Sequence, residues 1–277
     1  MIASLLAAAA VGLAPQPAPV LVVPRPRFTY DRKRPLALRL GAVTQLDGWA
    51  RQVLSFDAGR GRKTAYWTHP DGGGPWPVVL FSPGSDGDAS TQLRDADRLA
   101  RKGIASLNVA PPSRLITCRA SNDVRSFVSY VVGRRRALDL LPRLRGADPS
   151  RVAVVGFSFG AAVSATLAGV DRRVRSAAIQ SGRAHLSAPI GAYCRSRKYT
   201  RGYSVIDPVR FVGPASASFL FQNGRRDPIS PERDVAALVA AVRAPKEQRW
   251  YDAAHELDEQ AAADLDAWLV EQLQPRR

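Results

Sequence analysis

The run Gly156-Phe157-Ser158-Phe159-Gly160 stands between an apolar, β-branched stretch, residues 152–155, and a helix-forming stretch of small residues, 161–167. Strand, sharp turn and helix in that order are what a serine nucleophile elbow requires. The turn holds the serine backbone in a strained conformation, and glycines two residues to either side remove the Cβ atoms that would clash where strand and helix approach. A Gly-x-Ser-x-Gly string is weak evidence alone; its flanks make it specific. A chain that contains this unit is constrained to a sheet whose carboxyl edge presents the Ser158 hydroxyl.

A serine hydroxyl is a poor nucleophile until a base takes its proton, and only three histidines exist to serve. His69 precedes Pro70 and a run of glycines, and reads as an exposed turn residue. His185 opens an irregular stretch after a strand and reads as a loop histidine within reach of substrate. His255 lies between a strand, 247–252, and the last helix, where a loop returns it to the top of the sheet. The orienting carboxylate is expected at Asp227, in the turn after a strand near 216–221. There it would accept the Nδ1 proton of His255 and turn Nε2 toward Ser158. Asp207, before a proline, reads instead as a turn or cap residue, and Asp252 as a solvent-facing strand-end charge.

Charge for a developing oxyanion would come from backbone N–H groups. Phe159, directly after the nucleophile, supplies one. The loop after the apolar strand 77–81, Ser82-Pro83-Gly84-Ser85-Asp86-Gly87-Asp88, is the expected source of the other. With this loop the chain resembles the α/β-hydrolase superfamily, specifically its small bacterial esterase and dienelactone-hydrolase-like branch, over roughly residues 50 to 273. That branch commonly carries His-Gly where this chain has Pro83-Gly84. The resemblance implies Ser85 N–H as the second oxyanion donor, a Ser, Asp, His order of triad residues, no metal or organic cofactor, and a small-molecule ester as substrate. Residues 28–36, 53–57 and 64–68 also look like bacterial esterase-like hydrolases that carry an N-terminal extension before an antiparallel hairpin.

Strands are expected near 52–57, 63–69, 77–82, 104–109, 151–157, 174–180, 216–221 and 247–252, and helices near 91–102, 122–145, 159–169, 231–243 and 257–273. Alternation from the third strand onward predicts a mostly parallel, eight-stranded α/β sheet covered on both faces, with an antiparallel hairpin at its start. At 277 residues this pattern consumes the chain, so one hydrolase domain over 25–277 is expected. Residues 182–215 break the alternation and are too long for an ordinary connection. They are expected to form a lid over the active site, with the surface excursion left open.

Residues 1–24 begin with an uncharged apolar run followed by Pro15-Gln16-Pro17. That run is too short to span a bilayer and has the length of a signal-peptide apolar region, so export to the envelope or medium is expected; a disordered leader on a cytoplasmic protein remains the alternative. No other run is long and apolar enough to be a transmembrane helix. The two cysteines, Cys118 and Cys194, fall in loops at the carboxyl edge of the sheet, and a bridge pinning the lid is predicted. They show no clustering with histidine that would hold a metal.

The formal net charge of +16 comes almost wholly from arginine, since five of the forty basic residues are lysine. The arginines are spread along the chain rather than gathered with stacking aromatics on one face, which argues against a specific nucleic-acid module. The densest run, Arg134-Arg135-Arg136, reads as a solvated helix face. Acyl transfer from a carboxylic ester through Ser158 is the expected chemistry. A thioesterase or acyltransferase with the same triad, and a silent hydrolase fold binding polyanions, are the alternatives. Oligomeric state is not readable from the sequence.

Overall fold

The computed structural model describes residues 27–274; the leader expected over 1–24 lies outside them. Nine strands form one sheet in the order β1-β2-β3-β5-β4-β6-β7-β8-β9. The strands are β1 (Arg39–Leu46), β2 (Trp49–Asp57), β3 (Arg62–Pro70), β4 (Trp76–Ser82), β5 (Ala105–Val109), β6 (Ala147–Phe157), β7 (Ser176–Gln180), β8 (Ser218–Gly224) and β9 (Lys246–Tyr251). From β5 through β9 all neighbours are parallel, and β1, β2 and β3 attach antiparallel to the β5 edge.

Strand periodicity explains why both faces are covered. In β4, Val78 and Leu80 enter one apolar cluster while Val79 and Phe81 enter another, and β6 divides Val152 and Val154 from Ala153 and Val155 in the same way. Side chains alternate across a strand, so a continuous apolar run must be buried on two sides. Helices α1 (Leu93–Ala100) and α7 (Glu259–Gln272) cover the second cluster through Leu99, Leu265, Trp268 and Leu269. Helices α2 (Ala120–Leu140) and α3 (Phe159–Val170) cover the first through Phe127, Val131, Val163 and Leu167. Among the described residues no helix is long and apolar enough to cross a membrane.

Two features depart from the sequence reading. The eight expected strands become nine, because β1 pairs with β2 although nearly every side chain on it is exposed; Leu40 is 59% accessible. A strand with no buried face carries no apolar alternation to read. The three arginines 134–136 are not a solvated face: Arg134 and Arg136 are each 1% accessible. The amino-terminal segment wraps over α2 and supplies acceptors, so Arg135 donates to the Phe28 carbonyl and to Asp171, and Arg136 to the carbonyls of Asp57 and Pro35.

The segment 182–215 folds as α4 (Ser187–Tyr193), α5 (Arg197–Tyr203) and two 3₁₀ turns, with Tyr199, Tyr203, Ile206 and Val212 in the main core. It is a docked layer against α2, held there by a buried polar contact in which Tyr199 donates to Asp123 at 2.8 Å. The expected bridge is present: Cys118, in the loop before α2, joins Cys194 at the end of α4, with Cα atoms 5.3 Å apart. The linked cysteines are 76 residues apart in sequence. Opening a loop of that length releases denatured-state entropy equivalent to about 4 kcal/mol. We therefore expect Cys118→Ala with Cys194→Ala to lower unfolding stability by that order in urea titration. Unchanged stability would show that Asp123 and the core side chains hold the layer unaided.

Candidate active site

Ser158 sits between β6 and α3 with φ 54° and ψ −117°, a conformation in which L-residues are strained. Close approach explains both flanking glycines. A Cβ at Gly156 would lie 2.2 Å from the Gly160 carbonyl oxygen, and one at Gly160 would lie 1.9 Å from that of Ser82. The Ser158 N–H donates to the Gln180 carbonyl at the end of β7, fixing the elbow to the next strand at 3.0 Å.

Asp227 follows β8 in a tight turn. Its Oδ1 accepts the N–H groups of Ile229 at 2.7 Å and Ser230 at 3.0 Å, which leaves Oδ2 facing His255 Nδ1 at 2.8 Å. An ionised carboxylate only accepts, so Nδ1 carries the proton and Nε2 is the free base. That Nε2 lies 2.8 Å from Ser158 Oγ. The Asp227 side chain has no accessible surface, and that of His255 is 17% accessible. The histidine ring packs against Phe157, centroids 5.2 Å apart, and its carbonyl accepts the Ser181 hydroxyl at 2.6 Å. Gly224 makes the meeting of the two loops possible, since a Cβ there would lie 2.1 Å from the Ala254 carbonyl oxygen.

The other histidines and carboxylates are engaged elsewhere. His69 is not an exposed turn residue: it lies on β3, half-buried, and stacks on Trp76 with centroids 4.9 Å apart. His185 donates through Nδ1 to Asp234 at 2.5 Å, and the other oxygen of that carboxylate accepts from Arg183; among the described residues no hydroxyl bonds the second nitrogen of His185. Asp207 is buried and accepts both the N–H and the hydroxyl of Ser187. Asp252 is 80% accessible and paired with Arg226 at 2.9 Å.

The loop after β4 passes directly over Ser158. A Cβ at Gly84 would stand 3.6 Å from Ser158 Cβ, and the Gly87 N–H closes a turn on the Gly84 carbonyl. Ser85 lies inside that turn, and its N–H meets no acceptor among the described residues. Phe159 is the first residue of α3, where N–H groups lack intrahelical acceptors.

Between the Gly84 loop, Phe157 and the residues after His255 opens a cleft of about 510 Å³, lined by Gly84, Asp86, Gln92, Arg94, Asp95, Phe157, Gln180, Glu256, Leu257 and Asp258, among others; Ser158 and His255 adjoin it without lining it. Most of these groups are polar. Burial pushes the Asp95 carboxyl upward against the opposing pull of Arg98, which donates to it at 2.7 Å. Phe157 in the elbow and Gly84 and Asp86 in the loop after β4 are anticipated from the sequence; Gln180 and Glu256 are not, although they flank a strand end and His255. Among the described residues no group of three or more His, Cys, Asp or Glu side chains is placed to hold a metal.

Residues 41–188, more than half of the chain, match the family described as FrsA-like: Esterase FrsA-like. This chain belongs to the FrsA-like esterase family. The matched segment contains Ser158 and the Gly84 loop, while Asp227 and His255 lie beyond it. Esterase FrsA of Escherichia coli O157:H7 is 32% identical over 128 residues, which cover 46% of this chain and 30% of that protein. The chain thus matches less than a third of the length of that curated relative. In fold, it is similar to an acetyl xylan esterase from Paenibacillus sp. R4, with a TM-score of 0.76, 20% identity, and coverage of 87% of this chain and 90% of the other. Acetyl xylan esterase 1 from Thermoanaerobacterium sp. JW/SL YS485 gives 0.75 at 16% identity, covering 87% and 89%. The fold is that of the α/β-hydrolases.

Proposed function

We propose that this member of the FrsA-like family hydrolyses carboxylic esters through an acyl-enzyme on Ser158. The observation that carries the reading is the continuous chain from Asp227 through His255 to Ser158, with both links at 2.8 Å. In the first step Ser158 Oγ attacks the ester carbon while its proton passes to His255 Nε2. Asp227 stabilises the imidazolium, and the N–H groups of Phe159 and Ser85 receive the oxyanion. The imidazolium then protonates the leaving alcohol, and water, activated by the same nitrogen, releases the acid.

The polar lining of the cleft supports an ester with a hydrogen-bonding alcohol part and a short acyl group. A long alkyl chain would leave Asp86, Arg94, Glu256 and Asp258 desolvated without partners. The Cys118–Cys194 bridge supports an exported protein, because disulfides persist in oxidising compartments. A fluorophosphonate probe followed by peptide mass spectrometry tests the nucleophile, and a series of p-nitrophenyl esters tests the acyl preference. We expect a single adduct on Ser158 and kcat/KM highest for acetate, falling beyond butyrate. An unlabelled Ser158 in active protein would overturn the mechanism; a maximum at octanoate or longer would overturn the short-acyl assignment.

A further inference from the structure

Arg134 is one of two arginines buried to 1% accessibility, with Arg136, and has no carboxylate to neutralise it among the described residues. Its guanidinium donates through Nε to Ser82 Oγ at 3.0 Å and through Nη2 to the Val109 carbonyl at 2.7 Å. Burying an unpaired charge costs several kcal/mol, and an apolar residue of similar volume is often more stable. Packing alone does not account for an arginine here. What it touches is informative: Ser82 is the last residue of β4, and the next three residues, Pro83-Gly84-Ser85, are the loop that overhangs Ser158.

Tyr130, one helical turn earlier on α2, completes the contact. Its ring lies under the guanidinium at 4.5 Å, and its hydroxyl donates to the Pro83 carbonyl at 3.0 Å. Burial pushes that phenol up to about 12, so it remains a donor across the working pH range. The same ring stacks on Phe159, centroids 6.4 Å apart with planes 13° from parallel. The same backbone also rests on Gly160, where a Cβ would come within 1.9 Å of the Ser82 oxygen and 2.4 Å of that of Pro83. The strand end that leads into the loop is thereby gripped from α2 by two side chains and from α3 by direct backbone contact.

We infer that Arg134, with Tyr130, is a positioning residue for the oxyanion site: it fixes the Ser82–Ser85 backbone so that the Ser85 N–H converges with that of Phe159. The inference rests on the acyl-enzyme reading above. Neither side chain touches substrate; each acts through the main chain it holds. Displacing one donor weakens transition-state binding without weakening ground-state binding, so the effect belongs in kcat.

The test compares wild type with Arg134→Met, Arg134→Lys and Tyr130→Phe, measuring kcat and KM for p-nitrophenyl acetate, their pH profiles, the melting temperature, and inhibition by a phenylboronic acid, which forms a tetrahedral adduct with a nucleophilic serine. Arg134→Met is expected to lower kcat roughly ten- to hundredfold, less than loss of a donor itself, with KM and the apparent pKa of the base limb unchanged. Its melting temperature should be equal or higher. Boronate affinity should weaken by the same factor as kcat/KM. Arg134→Lys should recover part of the loss, and Tyr130→Phe, which deletes one hydroxyl, should show a smaller fall of the same kind and remains informative if Arg134→Met does not fold. Wild-type kcat in both Tyr130→Phe and folded Arg134→Met, or boronate bound equally by all, would overturn the inference alone. Failure of boronate to bind the wild type would overturn the nucleophile assignment and the inference with it.

Discussion

Ser158→Ala is expected to reduce ester turnover by about 10⁶ while leaving the melting temperature unchanged within error. The reason for the size of the effect is that Asp227 and His255 act only through the serine oxygen: once it is gone, the base at Nε2 has no proton to take. What survives is water attack within the oxyanion site. Stability should be spared because the hydroxyl makes one hydrogen bond, to a histidine that retains some solvent access and can bond water instead. Alanine at φ 54° is about as strained as serine, so the turn gains no relief. Circular dichroism melting alongside kcat on p-nitrophenyl acetate separates the two effects. Turnover within tenfold of wild type in a folded Ser158→Ala protein would remove the acyl-enzyme mechanism, whatever the family.

The parallel half of the fold is legible because its strands announce themselves twice. Strands β4, β6 and β8 each contain a short apolar run buried on both faces, and each is followed by a helix of eight to twelve residues, α1, α3 and α6 (Glu232–Ala241) respectively. The edge is different. Strand β1 is specified by backbone pairing to β2 with little side-chain burial, so its sequence reads as a linker. Helices α4 and α5 are seven residues each, too short to be stable by propensity. Burial of Tyr199 and Tyr203 and the bridge at Cys194 make them helical, and those are tertiary facts. A local trace exists in hindsight: Ser196 caps α5 by accepting the Tyr199 N–H, and Tyr199 and Tyr203 are spaced one turn apart.

Residues of the site are legible in proportion to how far each is fixed by its own strand end. Ser158, Asp227 and His255 come directly after β6, β8 and β9, and glycines at 156, 160 and 224 mark the close approaches that bring them together. The arginines of α2 are the opposite case. Three consecutive basic residues point in three directions around a helix: Arg135 and Arg136 meet carbonyls of a segment some hundred positions earlier in the chain, whereas Arg134 meets the ends of β4 and β5 at Ser82 and Val109. Periodicity cannot report such distant partners, which is why Arg134 reads as solvated and is found beneath the strand end that leads into the Gly84 loop.

Asp227→Asn should lower kcat by about 10⁴ with little change in stability, and the asymmetry of the carboxylate contacts shows why. Oδ1 serves the fold by accepting the Ile229 and Ser230 N–H groups, and an asparagine oxygen can keep both bonds. Oδ2 serves His255, and here the amide nitrogen must stand. A donor in that position faces His255 Nδ1 and forces the proton to Nε2, so that the ring presents a hydrogen to Ser158 instead of a lone pair. The nucleophile is then deprived of its base although every heavy atom is in place. The matching control is Asp252→Asn, three residues before the histidine, whose exposed ion pair with Arg226 contributes little and leaves the ring untouched. Its activity should stay within twofold of wild type. The reverse ranking would require the 252–255 loop to turn Asp252 toward the imidazole, which the Arg226 and Ala253 backbone bond at 3.0 Å opposes by holding that loop against the turn that carries Asp227.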